Sequence, residues 1–464
     1  PPPPELSPRA TDQERGDAEV AWKRSWLYVV ETDAAAGGSA RRVAYAKDPA
    51  AAERQDAAAP YRGRIERCLH VLPEFESTVG IRAESDATLV VQLVNRTAYF
   101  KELVAFYPLY PVNRRCVEAH GAPNWTKAEN LVSNGPFRLV FRRLRDRIRL
   151  AKNDQYWDAA NVHVKVIDAL ATKSETTALN MYLHGQLDWA TYVPVSTIPK
   201  LKAEYPDHFR GGPELTTYFY RVNVTRPELR DVRVRRALGM AIDKQRICDL
   251  VTRAGEMAAT SMVPPGLAGY TSPPGDPYDV EAARRLLAEA GYPGGRGLPP
   301  IEILYNDMDA HRTIAETIQQ MWKQNLGVDA ELRGLEWGVY LDSTHKLDYD
   351  VARAGWIADY PDPNTFLDMF MTGNDNNQTG WSNARYDTLI RQAAAEPDAA
   401  RRMALFAEAE AILLAEAPVI PIYFRVSKNL VHPRVEGFFN TVQDEHPLRL
   451  IRVREREAAN QAAR

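Results

Sequence analysis

Cysteine is scarce in this chain of 464 residues: Cys68, Cys116 and Cys248 are its only three, far apart and without a C-x-x-C spacing. That excludes a metal ribbon, a dithiol redox motif and a disulfide-stapled scaffold, and leaves isolated, partly buried thiols as the expectation. Long apolar runs are missing as well. The nearest approach, residues 409–424, is broken by Glu410, Glu416, Pro418 and Pro421, short of the roughly 18 apolar residues in a row that a membrane-crossing helix requires. There is no surplus of positive charge, since 58 Lys and Arg face 61 Asp and Glu for a formal −3, and no nucleic-acid partner is expected. The chain opens on four prolines instead of a charged stretch and an apolar signal, so any export signal is expected to be removed or to lie outside it. Catalytic signatures are absent too. No H-E-x-x-H occurs among the nine histidines, and there is no G-x-x-x-x-G-K-[ST] loop, G-x-S-x-G elbow or G-x-G-x-x-G turn. No enzyme activity, catalytic residue, metal or cofactor is therefore expected.

A hydrophobic fraction of 45% with 26% charged residues belongs to a globular protein, and the length calls for two or three packed units. Residues 1–63, rich in Pro, Ala, Arg and Asp, read as loop-rich and peripheral, interrupted by one helix over 18–30 with Trp22, Trp26 and Val29 on one face. From Thr88 the pattern becomes regular: a strand over 89–94, then a hairpin of 137–141 and 148–151 turning at Arg145 and Asp146. Val234, Leu238, Ala241 and Ile242 form one apolar helix face. Ile314, Ile318, Met321 and Trp322 form another, with Asp309 as candidate N-cap. A strand over 301–305 precedes that second helix, and Leu326-Gly327-Val328 follows it, where glycine suits a left-handed helix end before a new strand; the order is βαβ. An amphipathic helix over 405–413 leads into an apolar strand over 419–426.

The segment 349–366, Tyr-Asp-Val-Ala-Arg-Ala-Gly-Trp-Ile-Ala-Asp-Tyr-Pro-Asp-Pro-Asn-Thr-Phe, stands apart. An apolar strand runs into the small residues Ala354 and Gly355, which would let another backbone approach. Trp356 offers a rigid apolar wall, and the Asp359 carboxylate could receive a cation. The structural alternative makes Gly355 a bulge and Asp359 and Asp362 turn or helix-capping residues.

This segment, with Ser133-Asn-Gly-Pro-Phe137, Asn153-Asp-Gln-Tyr-Trp-Asp158, Gly185-Gln-Leu-Asp188, Tyr218-Phe-Tyr-Arg-Val-Asn223, Asp231-Val-Arg-Val-Arg-Arg-Ala-Leu238, Ala288-Glu-Ala-Gly-Tyr292 and the run from Trp322 to Val328, resembles the periplasmic oligopeptide-binding proteins that serve ABC importers. The runs occur in the family's order over roughly 85–455. The resemblance implies an α/β, two-lobed fold with crossing hinge strands: residues 1–227 as the first lobe, 228–428 as the second, and 429–464 returning to the first, with crossovers near 218–223 and 422–430. It implies a peptide enclosed between the lobes, bound mainly through main-chain hydrogen bonds, and bridging water in place of side-chain-specific contacts. Carried over position by position, Asp359 takes the peptide's ammonium, Arg353 and His311 meet its carboxyl end, and Trp356 and Trp337 line pockets with His345 nearby. Ala354, Gly355 and Tyr423 complete the ligand-binding set.

The implied partners are short peptides and the membrane permease of a bacterial ABC transporter, and the implied location is periplasmic or cell-surface. The chain departs from the family at three places. It starts almost where the family's first-lobe strands end, so a preceding segment or another chain is expected to complete that lobe. Thr344 stands where a relative carries a further arginine, and Thr216 and Ile357 where it carries a disulfide. A structural or interaction subunit that kept the fold and lost its ligand is the alternative reading, and a peptide hydrolase a distant third.

Overall fold

The computed structural model describes residues 79–455 except 122, 173 and 192, together with the backbone of two strands, β1 (Trp26–Thr32) and β2 (Arg41–Ala46). The chain divides into two compact units, Pro1–Asn95 and Arg96–Arg464.

In the first unit β1 pairs antiparallel with β2, and β3 (Ile81–Ser85) with β4 (Thr88–Val91). β1 corrects the helix expected over 18–30. Its sequence, Trp-Leu-Tyr-Val-Val-Glu-Thr, is aromatic and β-branched almost throughout, and that preference for a pleated surface overrides the helical spacing of Trp22, Trp26 and Val29. Residues 18–25 of that expectation, and most of 1–63, lie outside the described residues. β4 stops at Val91, before the expected Val94.

The second unit holds two main sheets. β5 (Phe137–Arg143), β6 (Arg147–Lys152) and β7 (Val166–Leu170) form an antiparallel meander whose first turn places Arg145 at φ 59°, where the hairpin was expected to reverse. The larger sheet contains β8 (Trp189–Ala190), β9 (Phe209–Val222), β10 (Met257–Ala258), β11 (Ile301–Asn306), β12 (Ala330–Leu335), β13 (Val351–Ile357) and β14 (Val419–Val431). Its spatial order is β10-β14-β9-β13-β11-β12, with β8 pairing the far end of β14. β9 and β14 are the long antiparallel pair at its centre. Pro421, which has no N–H to donate, falls at a register shift between them, where a bulge tolerates it.

Five helices matter for the site: α1 (Glu175–Leu183), α2 (Val232–Met240), α3 (Asp309–Leu326), α4 (Trp337–His345) and α5 (Ala399–Glu416). The β11-α3-β12 unit is parallel, as the sequence pattern requires. α3 begins at Asp309 itself, with Met308 as its cap residue and no side-chain cap bond, so Asp309 is one position inside the cap it was expected to occupy. Gly327 ends α3 at φ 71°, and a Cβ there would lie 2.5 Å from the Gly294 carbonyl oxygen, so both conformation and space demand glycine.

Alternation along the strands separates the two largest core clusters. Tyr218, Tyr220, Val222, Val351, Ile420 and Ile422 belong to one cluster with α2 and α3; Leu215, Phe219, Ala354 and Val419 belong to the other with α5. Buried polar groups pin the loops. Glu410 on α5, fully buried, accepts from the backbone N–H of Met262 (2.7 Å) and Val263 (2.8 Å) and from the Tyr270 hydroxyl (2.5 Å). Asn223, at the end of β9, donates to the carbonyls of Leu347 and Tyr349, both at 2.9 Å, and so fixes the entry to β13. Cys116 and Cys248 are buried free thiols; Cys68 lies outside the described residues.

Candidate functional site

β11 and β12 run side by side and end at Asn306 and Leu335, and α3 and α4 begin just beyond them. A cavity of ≈ 950 Å³ opens there, lined also by β9, β14, β8 and the start of α1. The carboxyl ends of strands in an open α/β sheet are where such folds hold ligands, because side chains and helix starts converge there without competing ladder bonds.

Four residues named from the sequence meet in this cavity: Arg353, His311, Trp337 and Tyr423. Tyr218 organises them. Tyr423 stacks on its ring at 4.7 Å, the Arg353 guanidinium sits over it at 4.9 Å, and its hydroxyl lies 3.2 Å from His311 Nδ1. Arg353 Nη1 donates to Asn306 Oδ1 (3.2 Å), while its buried Nε has no partner, and no carboxylate pairs with this guanidinium among the described residues. Burial, aided by the charges of Arg353 and Arg425, pushes His311 down to about 3, so the ring is neutral at physiological pH. Trp337 is 53% exposed and stacks on Tyr340 at 5.6 Å, which makes it a cavity wall rather than core.

Gly355 shares the cavity face of β13, since the sheet register opposes Gly355 to Tyr218 and Arg353 to Tyr220. No register shift occurs there, which removes the bulge reading. A Cβ on Gly355 would meet nothing nearer than Arg353 Nη2 at 3.6 Å, so the protein's own packing does not require glycine. β11 accompanies β13 only through Ala352; the Arg353 carbonyl then accepts from the Tyr340 hydroxyl, and from Ala354 to Ile357 the β13 backbone is paired with a strand on the β9 side alone.

The remaining candidates lie elsewhere. Ala354 and Trp356 are on the opposite face, in and against the second core cluster, with the Trp356 indole N–H donating to Thr365 Oγ1 at 3.2 Å. His345 ends α4, exposed, with Gln378 Nε2 3.3 Å from its Nδ1, away from the cavity lining. Thr344 is fully buried and its hydroxyl donates to the Leu341 carbonyl, so nothing at that position can replace an arginine. Thr216 and Ile357 are register partners on β9 and β13, facing each other without a bridge.

Asp359 follows β13 and is half-buried. Burial raises its carboxyl above the usual range, and no cation pairs with it among the described residues. Its neighbour Asp368 is raised to about 6, by burial first and also by the charges of Asp359 and Asp362. Asp362 is structural. Both its oxygens accept from Arg402 at 2.7 Å in a buried bidentate pair, and Oδ1 also accepts from the Asn364 N–H.

Several lining residues were not found from the sequence: Asn306, Glu336, Trp189, Arg425 and Lys428. Arg425 and Lys428 had a signal, since an otherwise apolar strand carries two charges near its end. The structure balances both, Arg425 with Glu214 (3.6 Å) and Lys428 with Glu256 (2.7 Å). Burial alone would raise the Glu256 carboxyl, but Lys428 and the Thr252 hydroxyl outweigh it and hold it below its usual value.

Residues 21–378 match the bacterial extracellular solute-binding proteins, family 5 Middle. The chain belongs to this family. It is 38% identical over 358 residues to the oligopeptide-binding protein OppA of Bacillus subtilis and 36% identical over 368 residues to the periplasmic oligopeptide-binding protein OppA of Salmonella typhimurium. Those alignments cover 75% and 78% of this chain and 65% and 67% of the relatives, so the chain spans about two thirds of the length of the curated relatives it matches. The murein tripeptide-binding protein MppA of Escherichia coli matches with a TM-score of 0.74 and 33% identity, over 81% of this chain and 75% of that one. Haemophilus influenzae OppA in complex with the peptide RPPGFSPFR matches with a TM-score of 0.72 and 27% identity, over 94% of each chain. The two-lobed α/β solute-binding fold expected from the sequence is thus the fold of this family member, and membership places it outside the bacterial cytoplasm.

Proposed function

We propose that the chain is the receptor component of a peptide importer, holding a short peptide extended along β13 and delivering it unaltered to an ABC-transporter permease. The observation that carries this reading is the free edge of β13 beside the cavity. An extended peptide can complete its main-chain hydrogen bonds against Gly355–Ile357 as an added strand would, whatever its side chains. Gly355 leaves room for that approach. The Arg353 guanidinium, without a carboxylate partner among the described residues, and the neutral His311 suit a carboxylate, and Asp359, which meets no cation among the described residues, suits an ammonium.

In this reading residues 1–227 and 429–464 make one lobe and 228–428 the other, β9 and β14 being the crossing strands. The return of β14 onto β8, Leu430 opposite Ala190, supports it. The names of the relatives above, oligopeptide- and murein tripeptide-binding proteins, support peptides as the ligand class. Native mass spectrometry of the purified protein tests the proposal. A population of bound short peptides, replaced on adding a defined tetrapeptide, is the expected result; protein that stays ligand-free after peptide soaking would make it a fold-retaining scaffold instead, and cleaved peptide would make it a hydrolase.

A further inference from the structure

The chain's near-neutral balance hides one strongly basic stretch. Between residues 137 and 170, eight Lys and Arg stand against four Asp and Glu, while the whole chain carries −3. The structure folds this stretch into the β5-β6-β7 meander, where the register sets Arg143 directly opposite Arg147, an arrangement of like charges that costs stability unless something offsets it. The acids present do so only in part. Asp168 takes Arg149 through two bonds of 2.7 Å, and Asp146 takes Arg147 at 3.0 Å and reaches Arg143 only at 4.0 Å. Arg138, Arg142 and Arg145 are exposed and have no acidic partner among the described residues. Arg143 and Arg149 lie over the Phe141 ring at 4.5 and 5.4 Å. At the tip, between Arg143 and Arg145, Leu144 projects with 81% of its surface exposed.

We propose that this hairpin docks the protein onto an anionic phospholipid surface. Guanidinium groups around an exposed aliphatic tip match the two layers of such a surface, phosphates outside and hydrocarbon beneath, and each cation held near it adds attraction that falls off within a Debye length. An acidic protein would use the arginines but leave Leu144 without a purpose. A receptor that works beside a membrane gains local concentration from such a contact, which the hairpin alone would make whether or not the cavity holds peptide.

Co-sedimentation of the full chain with vesicles tests it, using phosphatidylcholine alone and phosphatidylcholine with roughly 30% phosphatidylglycerol. The chain is expected to sediment with the anionic vesicles only and to be released by raised salt. The combined substitution Arg138→Glu, Arg142→Glu, Arg145→Glu, at exposed positions with no ion pair among the described residues, is expected to weaken partitioning by roughly a hundredfold at low salt. Leu144→Asp is expected to weaken it less and to keep the salt dependence. Equal sedimentation with both vesicle types, none with either, or partitioning untouched by the triple charge reversal would overturn the proposal. Should the triple variant lose its native thermal transition, Arg142→Glu alone and the salt titration of the unsubstituted chain decide the matter.

Discussion

The two ends of β13 are opposite in what they leave unpaired. At one end the Arg353 guanidinium lies over Tyr218 and donates to the Asn306 amide oxygen, with no carboxylate partner among the described residues. Beyond the other end the Asp359 carboxylate is half-buried and meets no cation among the described residues. Asp362, three residues on, shows what the fold does when a carboxylate serves structure: it is buried further and given the two-pronged Arg402 pair. In the proposed peptide-binding role, the charges of Asp359 and Arg353 are the ones that a ligand with both signs would complete, whereas Asp362 is already completed by the fold.

Substitutions should separate the two aspartates. Arg402→Ala strands the Asp362 charge in the core and is expected to cost about 3–5 kcal/mol in urea unfolding, whereas Asp359→Asn should leave stability unchanged or slightly raised. Similar losses in both would erase the contrast. For binding the order reverses. Asp359→Asn is expected to weaken peptides with a free amino end by about 2–5 kcal/mol in calorimetry and N-acetylated ones hardly at all, because acetylation already removes the cation. Equal losses for the two ligands would take Asp359 out of the ammonium role. Gly355→Leu should fold with an unchanged melting temperature, since no neighbour crowds that position, yet weaken peptide binding by about 1.4 kcal/mol or more; retained affinity would mean that the peptide does not lie along β13.

The smallest effect concerns Asp368. Its folded pKa of about 6 lies above the ordinary 3.8, so the native state binds this proton more tightly than the unfolded state does. The stabilising contribution is therefore full below pH 3.8 and is lost as pH rises through about 6. Asp368→Asn is accordingly expected to be about 1–2 kcal/mol more stable than the unsubstituted chain at pH 8, the gap closing towards pH 4 in thermal melts across that range. A gap independent of pH would assign the effect to packing rather than to charge.

Much of this was legible in the amino-acid order. The β11-α3-β12 unit follows from an alternating strand, a 3.6-residue apolar repeat and a glycine at the left-handed helix end, all local signals. The cavity residues Arg353, His311, Trp337 and Tyr423 came from the family resemblance, and the structure gathers all four in one place. The helix expected at 18–30 was misread where a short aromatic run fits two periods and pairing with β2 decides between them.

By itself, then, the sequence determined the class of the fold, the family, and the segment proposed to hold the ligand, with the type of charge at each of its ends. Only the tertiary structure decided which face of β13 each residue occupies, that Ala354 and Trp356 turn to the core while Gly355 shares the face of Arg353, and that Asp362 has a cation partner while Asp359 has none among the described residues. The reason is physical. Alternation says that neighbours point to opposite sides without saying which side is the core, and a carboxylate's partner can come from a helix 40 residues away, as Arg402 does for Asp362.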